Sequence, residues 1–286
     1  MSKTLKFFAV LIAIGAASVL LTPVLGPFLP MFKFERIFNR LIMIFTVAAA
    51  VLFVRSRRWS LAECGFDFSC AWRRLLAFGF ATGAVMVLAI SVIEVIWGPR
   101  YIRHPMLVSD IVQRFLKGMI SGTVVGIVEE FFFRGFIFVQ LEKKMKTWIA
   151  VCAASIFYSL VHFLDNGQIF IPQTPGARDA LRLLVGYVEP IFFQTAHILP
   201  EAVGLFLFGI LLTVAFLKTR SLFLPIGIHA GTVFMIKWEA SFVRKGYDVS
   251  VPWFGNAPHY DGSLEWALII LTSAFIYWIY RTKRQS

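Results

Sequence analysis

The chain has 286 residues, of which 58% are hydrophobic and only 15% charged, with a mean hydropathy of +0.76. An ordinary soluble domain carries about 25% charged residues, so neither a water-soluble globule nor a disordered chain fits this composition. The net charge of +12 would suggest nucleic acid in a soluble protein, but here the basic residues cluster at the ends of apolar runs, where they set orientation and meet anionic lipid.

In chain order, the apolar runs predict about eight transmembrane helices: residues 7–26, 38–54, 75–97, 118–140, 147–164, a broken 183–217, 221–238 and 265–280. The expected fold is an all-α polytopic integral membrane bundle forming one domain over 1–286, with a motif-bearing core at 118–235. The first run follows Lys3 and Lys6 and contains Ala16-Ala17-Ser18, as a signal peptide would. It continues to Leu25 without a polar cleavage region, so a retained helix is expected. Cys64, Cys70 and Cys152 make no disulfide framework and are read as thiols.

An even span count puts both termini on one side. With that side cytoplasmic, the inner segments hold 15 Lys/Arg against three acids, Glu63, Asp67 and Glu142, and the outer segments hold 12 Lys/Arg. The expectation is therefore a multi-pass protein of the cell membrane, in a bacterium the inner membrane, with N and C termini cytoplasmic. The +12 then sits in a cytoplasmic collar facing the lipid bilayer, and no nucleic-acid partner is expected.

Two stretches break the apolar pattern. Residues 165–200 hold Pro172, Pro175, Pro190 and Pro200 among charged side chains. Irregular backbone is not tolerated against lipid, so this is an external loop, a re-entrant element or shielded helix. Residues 239–264 are polar and punctuated by Gly and Pro, and read as a loop. No internal repeat of the kind transporters show is visible.

Ionisable groups inside spans are costly and usually functional. In the fourth span Gly118, Gly122, Gly126, Glu130 and Arg134 recur every four residues along one helix face. The glycines allow close helix approach, and Glu130 can pair with Arg134 at i,i+4. Glu129 is turned about 100° away and is left less compensated, the setting of a general base. A plain Glu–Arg lock would explain Glu130 and Arg134 but not a second adjacent glutamate. The fifth span places His162 one turn after Tyr158; the seventh places His229 between Gly227 and Ala230-Gly231. Each histidine alone could be a packed core residue. Glu94, near the end of its span, is read as structural, snorkelling to the interface.

Carboxylates and imidazoles converging in a membrane suit three schemes: glutamate-catalysed hydrolysis, a metal site, or an ion relay. The chain has no His-Glu-x-x-His, no Gly-x-Ser-x-Gly, no Gly-Asp and no Walker A sequence.

Glu129-Glu130-Phe131-Phe132-Phe133-Arg134-Gly135 resembles the Glu-Glu-x-x-x-Arg-Gly signature of the CAAX-protease and bacteriocin-processing (CPBP, or Abi) membrane proteins. Tyr158-Ser159-Leu160-Val161-His162 resembles that family's Phe-x-x-x-His, and His229-Ala230-Gly231-Thr232-Val233 its His-x-x-x-Asn. The resemblance covers about 118–235. It implies an intramembrane endopeptidase of glutamic type, acting on a membrane-associated or lipid-modified peptide or protein, with no cofactor and no metal. Glu129 would activate the attacking water with His162, Glu130 and Arg134 would form the supporting pair beside Tyr158, and His229 would stabilise the oxyanion. Two positions depart from the pattern. Tyr158 stands for Phe, and Val233 stands where the second oxyanion donor is expected, Thr232 being the neighbouring candidate. Losing one such donor costs about 10²–10³ in rate. The alternatives are a non-proteolytic immunity or scaffold protein of the same fold and, more remotely, an ion or solute transporter.

Overall fold

The structure is a computed structural model and describes residues 3–68, 71–98, 100–164, 169–187, 189, 192, 195–246, 253–255 and 259–281. Cys70, Asp165, Pro190, Pro252 and Pro258 lie outside these residues. The chain is an all-α membrane helix bundle with one short two-stranded ribbon. In order come α1 (Lys3–Leu25), α2 (Phe34–Ser56), α3 (Trp72–Trp97), β1 (Arg100–Ile102) and α4 (Val108–Glu130). A π-helical segment (Phe131–Phe138) and a closing turn α5 (Val139–Glu142) extend α4. Then follow α6 (Thr147–Val161), α7 (Ala177–Gly186), α8 (Thr195–Thr219), α9 (Phe223–Glu239), β2 (Val243–Lys245) and α10 (Ser263–Ile279). Among the described residues, four helical stretches are long and apolar enough to cross a membrane: Phe8–Phe28, Phe34–Ser56, Trp72–Trp97 and Ile198–Thr219. Among the described residues, the expected sixth span, 183–217, holds the end of α7 and most of α8.

The chain forms two compact units, residues 1–59 with 160–198 and residues 60–159 with 199–286. In the first, α7 is amphipathic, and it places buried Ala180 and Leu183 on Phe34 and Phe38 of α2. Asp179 closes its first turn by accepting the Gly176 N–H at 2.9 Å. Part of the 165–200 stretch is thus a helix packed on protein. Ser18 and Thr22 on α1 are buried polar groups, each satisfied by a carbonyl four residues back, so the span leaves no hydroxyl unpaired there.

In the second unit α9 is the axis. All residues from Phe223 to Thr232 are buried, which its 17-residue length and His229 would not suggest for a lipid-facing span. Close approach of main chains explains this. A Cβ added at Gly118, Gly122 or Gly126 of α4 would lie 3.0, 2.6 or 3.1 Å from the carbonyl oxygen of Phe234, Ala230 or Ile226. On the other side of α9, a Cβ at Gly227 or Gly231 would lie 2.3 or 2.1 Å from the carbonyls of Leu76 and Phe80 on α3. The glycine stripe read from the fourth span is therefore the seat of α9, matched by a second seat on α3 that uses Gly79 and Gly83.

At one end of this unit the 60–66 turn docks on the α8–α9 connection. Ser60 and Glu63 cap each other, and the Leu222 N–H donates to the Gly65 carbonyl at 2.8 Å. Gly65 has φ +90°, the left-handed region that glycine enters without strain. Arg220 makes a two-pronged bond to Glu142, at 2.7 and 3.0 Å. Cys64 is a buried thiol in the turn. At the other end, β1 and β2 pair antiparallel, Arg100 opposite Lys245 and Ile102 opposite Val243, within what sequence patterning reads as loop.

Two predictions follow from this packing. Gly231→Ala drives a methyl into the Phe80 carbonyl and is expected to destabilise the protein by about 1–3 kcal/mol, whereas Gly176→Ala, which meets nothing within 4 Å, is near neutral. Thermal unfolding in detergent measures both. Burial first, and then Glu63, push the Cys64 thiol above its ordinary value, so its thiolate is scarcer at neutral pH than that of a free cysteine. Maleimide labelling at Cys64 is expected to lag a free thiol at pH 7 and to rise only at more alkaline pH.

Candidate active site

The Glu129–Arg134 region leaves α4 through a π-helical segment, a wider turn that is frequent at functional sites. It keeps the expected i,i+4 pair: Arg134 donates to Glu130 Oε1 at 2.8 Å. Both groups are enclosed, Glu130 fully and Arg134 to 1% exposure. Burying one ion would cost several kcal/mol, so the pair exists only because further partners complete it. Arg134 gives its other terminal nitrogen to the Gly209 carbonyl of α8 at 3.1 Å. Its guanidinium lies 4.6 Å from the centre of the Tyr158 ring and 5.8 Å from that of Phe133. The aromatic four residues before His162 is thus a platform for the arginine.

His229 enters from α9. Its Nδ1 meets the same Glu130 oxygen at 2.8 Å. A carboxylate only accepts, so Nδ1 carries the proton, and Glu130 fixes the ring orientation. Phe208 and Tyr158 stand edge-on to the imidazole with centroids 5.7 and 6.4 Å away. Nε2 is thereby aimed at Glu129, whose Oε2 lies 3.9 Å off. Glu129 differs from its neighbour in burial, its side chain being 26% exposed against 0% for Glu130. One glutamate is locked between Arg134 and His229. The other is partly exposed, with the imidazole Nε2 3.9 Å from its Oε2.

The remaining sequence candidates are placed as follows. His162 lies in the turn that ends α6, exposed, among residues 160–198. Val233 is half-buried one turn after His229, on the same side of α9. Thr232 is directed elsewhere: its hydroxyl oxygen would be 2.8 Å from a Cβ on Gly83, so it faces α3. The phenylalanines of the π-helical segment are largely packed, Phe138 and Phe131 against Phe216, Leu222 and Ile226. Gly209 matters for its carbonyl, which no side-chain pattern announces.

Sequence reasoning missed a second ionic cluster. Glu94 does not snorkel to an interface: it is 2% exposed and pairs with Arg100 at 2.8 Å. Arg100 also reaches Glu239 at 3.0 Å, and Glu239 accepts from Ser91 and meets His259 Nε2. The four charged residues are scattered from 94 to 259 and share no spacing, so Glu94 inside a span was the one available sign.

A model of the family described as Rce1-like: Type II CAAX prenyl endopeptidase Rce1-like matches residues 110–235, less than half of the chain. That segment is similar to the CAAX-protease family. It contains α4, the π-helical segment, α6, α8 and most of α9, hence Glu129, Glu130, Arg134, Tyr158, His162 and His229. The family supports a membrane endopeptidase as the general activity. No curated protein and no solved structure matches the chain.

Removing Arg134 tests the lock. Arg134→Ala leaves Glu130 charged, enclosed and paired only with His229, and is expected to cost about 3–5 kcal/mol, read as a fall in thermal midpoint in detergent.

Proposed function

We propose that the chain is a glutamate-dependent intramembrane endopeptidase that cleaves a membrane-associated or lipid-modified peptide. The observation that carries this reading is the unequal treatment of two adjacent glutamates. Glu130 is spent on Arg134 and His229, while Glu129 remains partly exposed, 3.9 Å from His229 Nε2. That gap is beyond hydrogen-bond reach yet short enough for one water in contact with both groups. Glu129 takes a proton from this water as the oxygen attacks the peptide carbonyl, and returns it to the amine nitrogen as the tetrahedral intermediate collapses and the C–N bond breaks. Stabilising the resulting oxyanion requires an N–H at Nε2, so His229 acts with both nitrogens protonated. In that state Glu129, Glu130, Arg134 and His229 sum to zero charge, which suits a site shielded from bulk water.

His162 keeps the water-handling role that its motif implies, and its own variant tests it. Val233 offers no side-chain donor beside His229, and Thr232 faces α3. The oxyanion is therefore assigned to His229. The protein is placed in the cell membrane with both termini cytoplasmic, as the basic loop residues favour.

The test uses a farnesylated fluorogenic peptide of CAAX type and the purified full chain in lipid nanodiscs. Glu129→Gln and His162→Ala are each expected to lower kcat about 10²–10⁴-fold with the thermal midpoint preserved. Undiminished cleavage in folded Glu129→Gln would sink the mechanism. If the wild-type chain cleaves nothing, and Glu129→Gln retains the biological activity of the wild type, the protein is a scaffold of the same fold.

A further inference from the structure

Outside residues 110–235, the segment that the family model matches, the chain builds an ionic cluster that the proposed chemistry does not use. Glu94 comes from α3, Arg100 from β1, Glu239 from the end of α9 and His259 from the turn before α10. All four are buried, with side-chain exposures of 11% or less. His259 is flanked by carboxylates on both edges of its ring: Nε2 bonds Glu239 and Nδ1 stands 3.8 Å from Glu94 Oε2. The Nε2–H donates to Glu239, while Nδ1 and Glu94 Oε2 are too far apart for a hydrogen bond. Arg100 pairs with both Glu94 and Glu239. Glu265 of α10 accepts the Gly262 N–H and closes the turn that carries His259.

The turn so held reaches the motif site. The Tyr260 carbonyl is pressed on α8 so closely that a Cβ on Gly204 would collide with it, and it accepts the Trp266 indole N–H at 2.9 Å. Gly204 lies one helical turn before Phe208, the ring edge-on to His229. Burial, followed by Glu201, Asp261 and Glu265, raises the Tyr260 phenol above its ordinary range, so it stays a proton donor. His259 is left-handed, with φ +75°, a backbone state a non-glycine residue keeps only where surrounding contacts hold it.

We propose that His259 is a positioning residue: clasped between Glu94 and Glu239, it pins the 259–262 turn against α8 and so sets Tyr260 as a wall of the substrate-binding site. This rests on the endopeptidase reading for its consequence, but the clasp itself is a property of the fold. Tyr260 would meet the substrate near the bond being cut and contribute to binding, leaving proton transfer to Glu129.

The experiment separates clasp from chemistry. In the full chain in nanodiscs, hydrogen–deuterium exchange is read over 259–266, and KM and kcat are measured with the farnesylated CAAX-type peptide. His259→Gln is expected to speed exchange in this stretch by about tenfold or more and to raise KM about tenfold with kcat within about twofold. Tyr260→Ala is expected to raise KM similarly while Arg100, Glu239 and His259 remain joined, so exchange at 259 and 262 stays near wild type. Pairing His259→Gln with Glu239→Gln removes both sides of the contact, and its combined cost is expected to fall short of the sum of the two alone. Unchanged exchange in His259→Gln overturns the clasp. Faster exchange with unchanged KM, or an unchanged KM in Tyr260→Ala, overturns the wall. If His259→Gln does not fold, the Tyr260→Ala result decides. Should the wild-type chain leave the peptide intact, the endopeptidase reading fails on its own, and exchange still judges the clasp.

Discussion

Main-chain contact between α9 and its two neighbours is the constraint on which the second unit depends. Glycines on α4 and α3 remove every side chain that would hold the helices apart, and α9 returns the arrangement with Gly227 and Gly231. Where a Cβ would sit, a glycine hydrogen points instead at a carbonyl oxygen of the facing helix. Such Cα–H···O contacts are individually weak, but they recur along both faces and bring two helix axes to a separation that larger residues forbid. The position of His229 follows. It lies between Gly227 and Gly231, in the part of α9 where every residue is buried, so the imidazole has no freedom to follow a drifting helix.

The electrostatics then build inward from that fixed imidazole. Glu130 touches both Arg134 and His229 through one oxygen, which ties α4 to α9 across the seam the glycines create. Arg134 passes the constraint on to α8 through the Gly209 carbonyl, and to α6 by lying over Tyr158. Four helices are therefore joined at one buried guanidinium. A lone glutamate or arginine here would be untenable in an apolar medium; together, with a carbonyl and an aromatic face, they hold each other, with Glu130 Oε1 taking both contacts and Oε2 none. Glu129 is the more exposed of the two glutamates, with His229 Nε2 3.9 Å from its Oε2.

Much of this was legible from spacing. The four-residue recurrence of Gly118, Gly122, Gly126, Glu130 and Arg134 predicts both a close helix contact and an ion pair, because local helix geometry alone decides which side chains share a face. The broken run near 183–217 signalled irregularity, and the amphipathic α7 accounts for part of it. What could not be read was long-range. The partner of the glycine stripe is a helix about a hundred residues away, and nothing in either segment names the other. The π-helical turn after Glu130 leaves no compositional mark, since eight mostly apolar residues suit α-helix equally well. The pairing of 100–102 with 243–245 joins three-residue strands too short for alternation to show. Glu94 was misplaced for the same reason: span-end position suggested the interface, whereas Arg100 and Glu239 approach it from elsewhere in the chain.

The α3 seat has a consequence for ancestry. Where helices meet through backbone atoms, the fit asks only for smallness at a few positions and is indifferent to the identity of the rest. On α3 the seat itself asks only for smallness at Gly79 and Gly83, whereas Ser91 and Glu94 further along are tied to Glu239 and Arg100. The recognisable segment of this chain ends at α4 on one side and within α9 on the other, although α3 packs against α9 as closely as α4 does. A structural neighbour can be essential to a fold and almost silent in its lineage, because glycine-to-carbonyl contact constrains evolution by volume and leaves little trace in the letters.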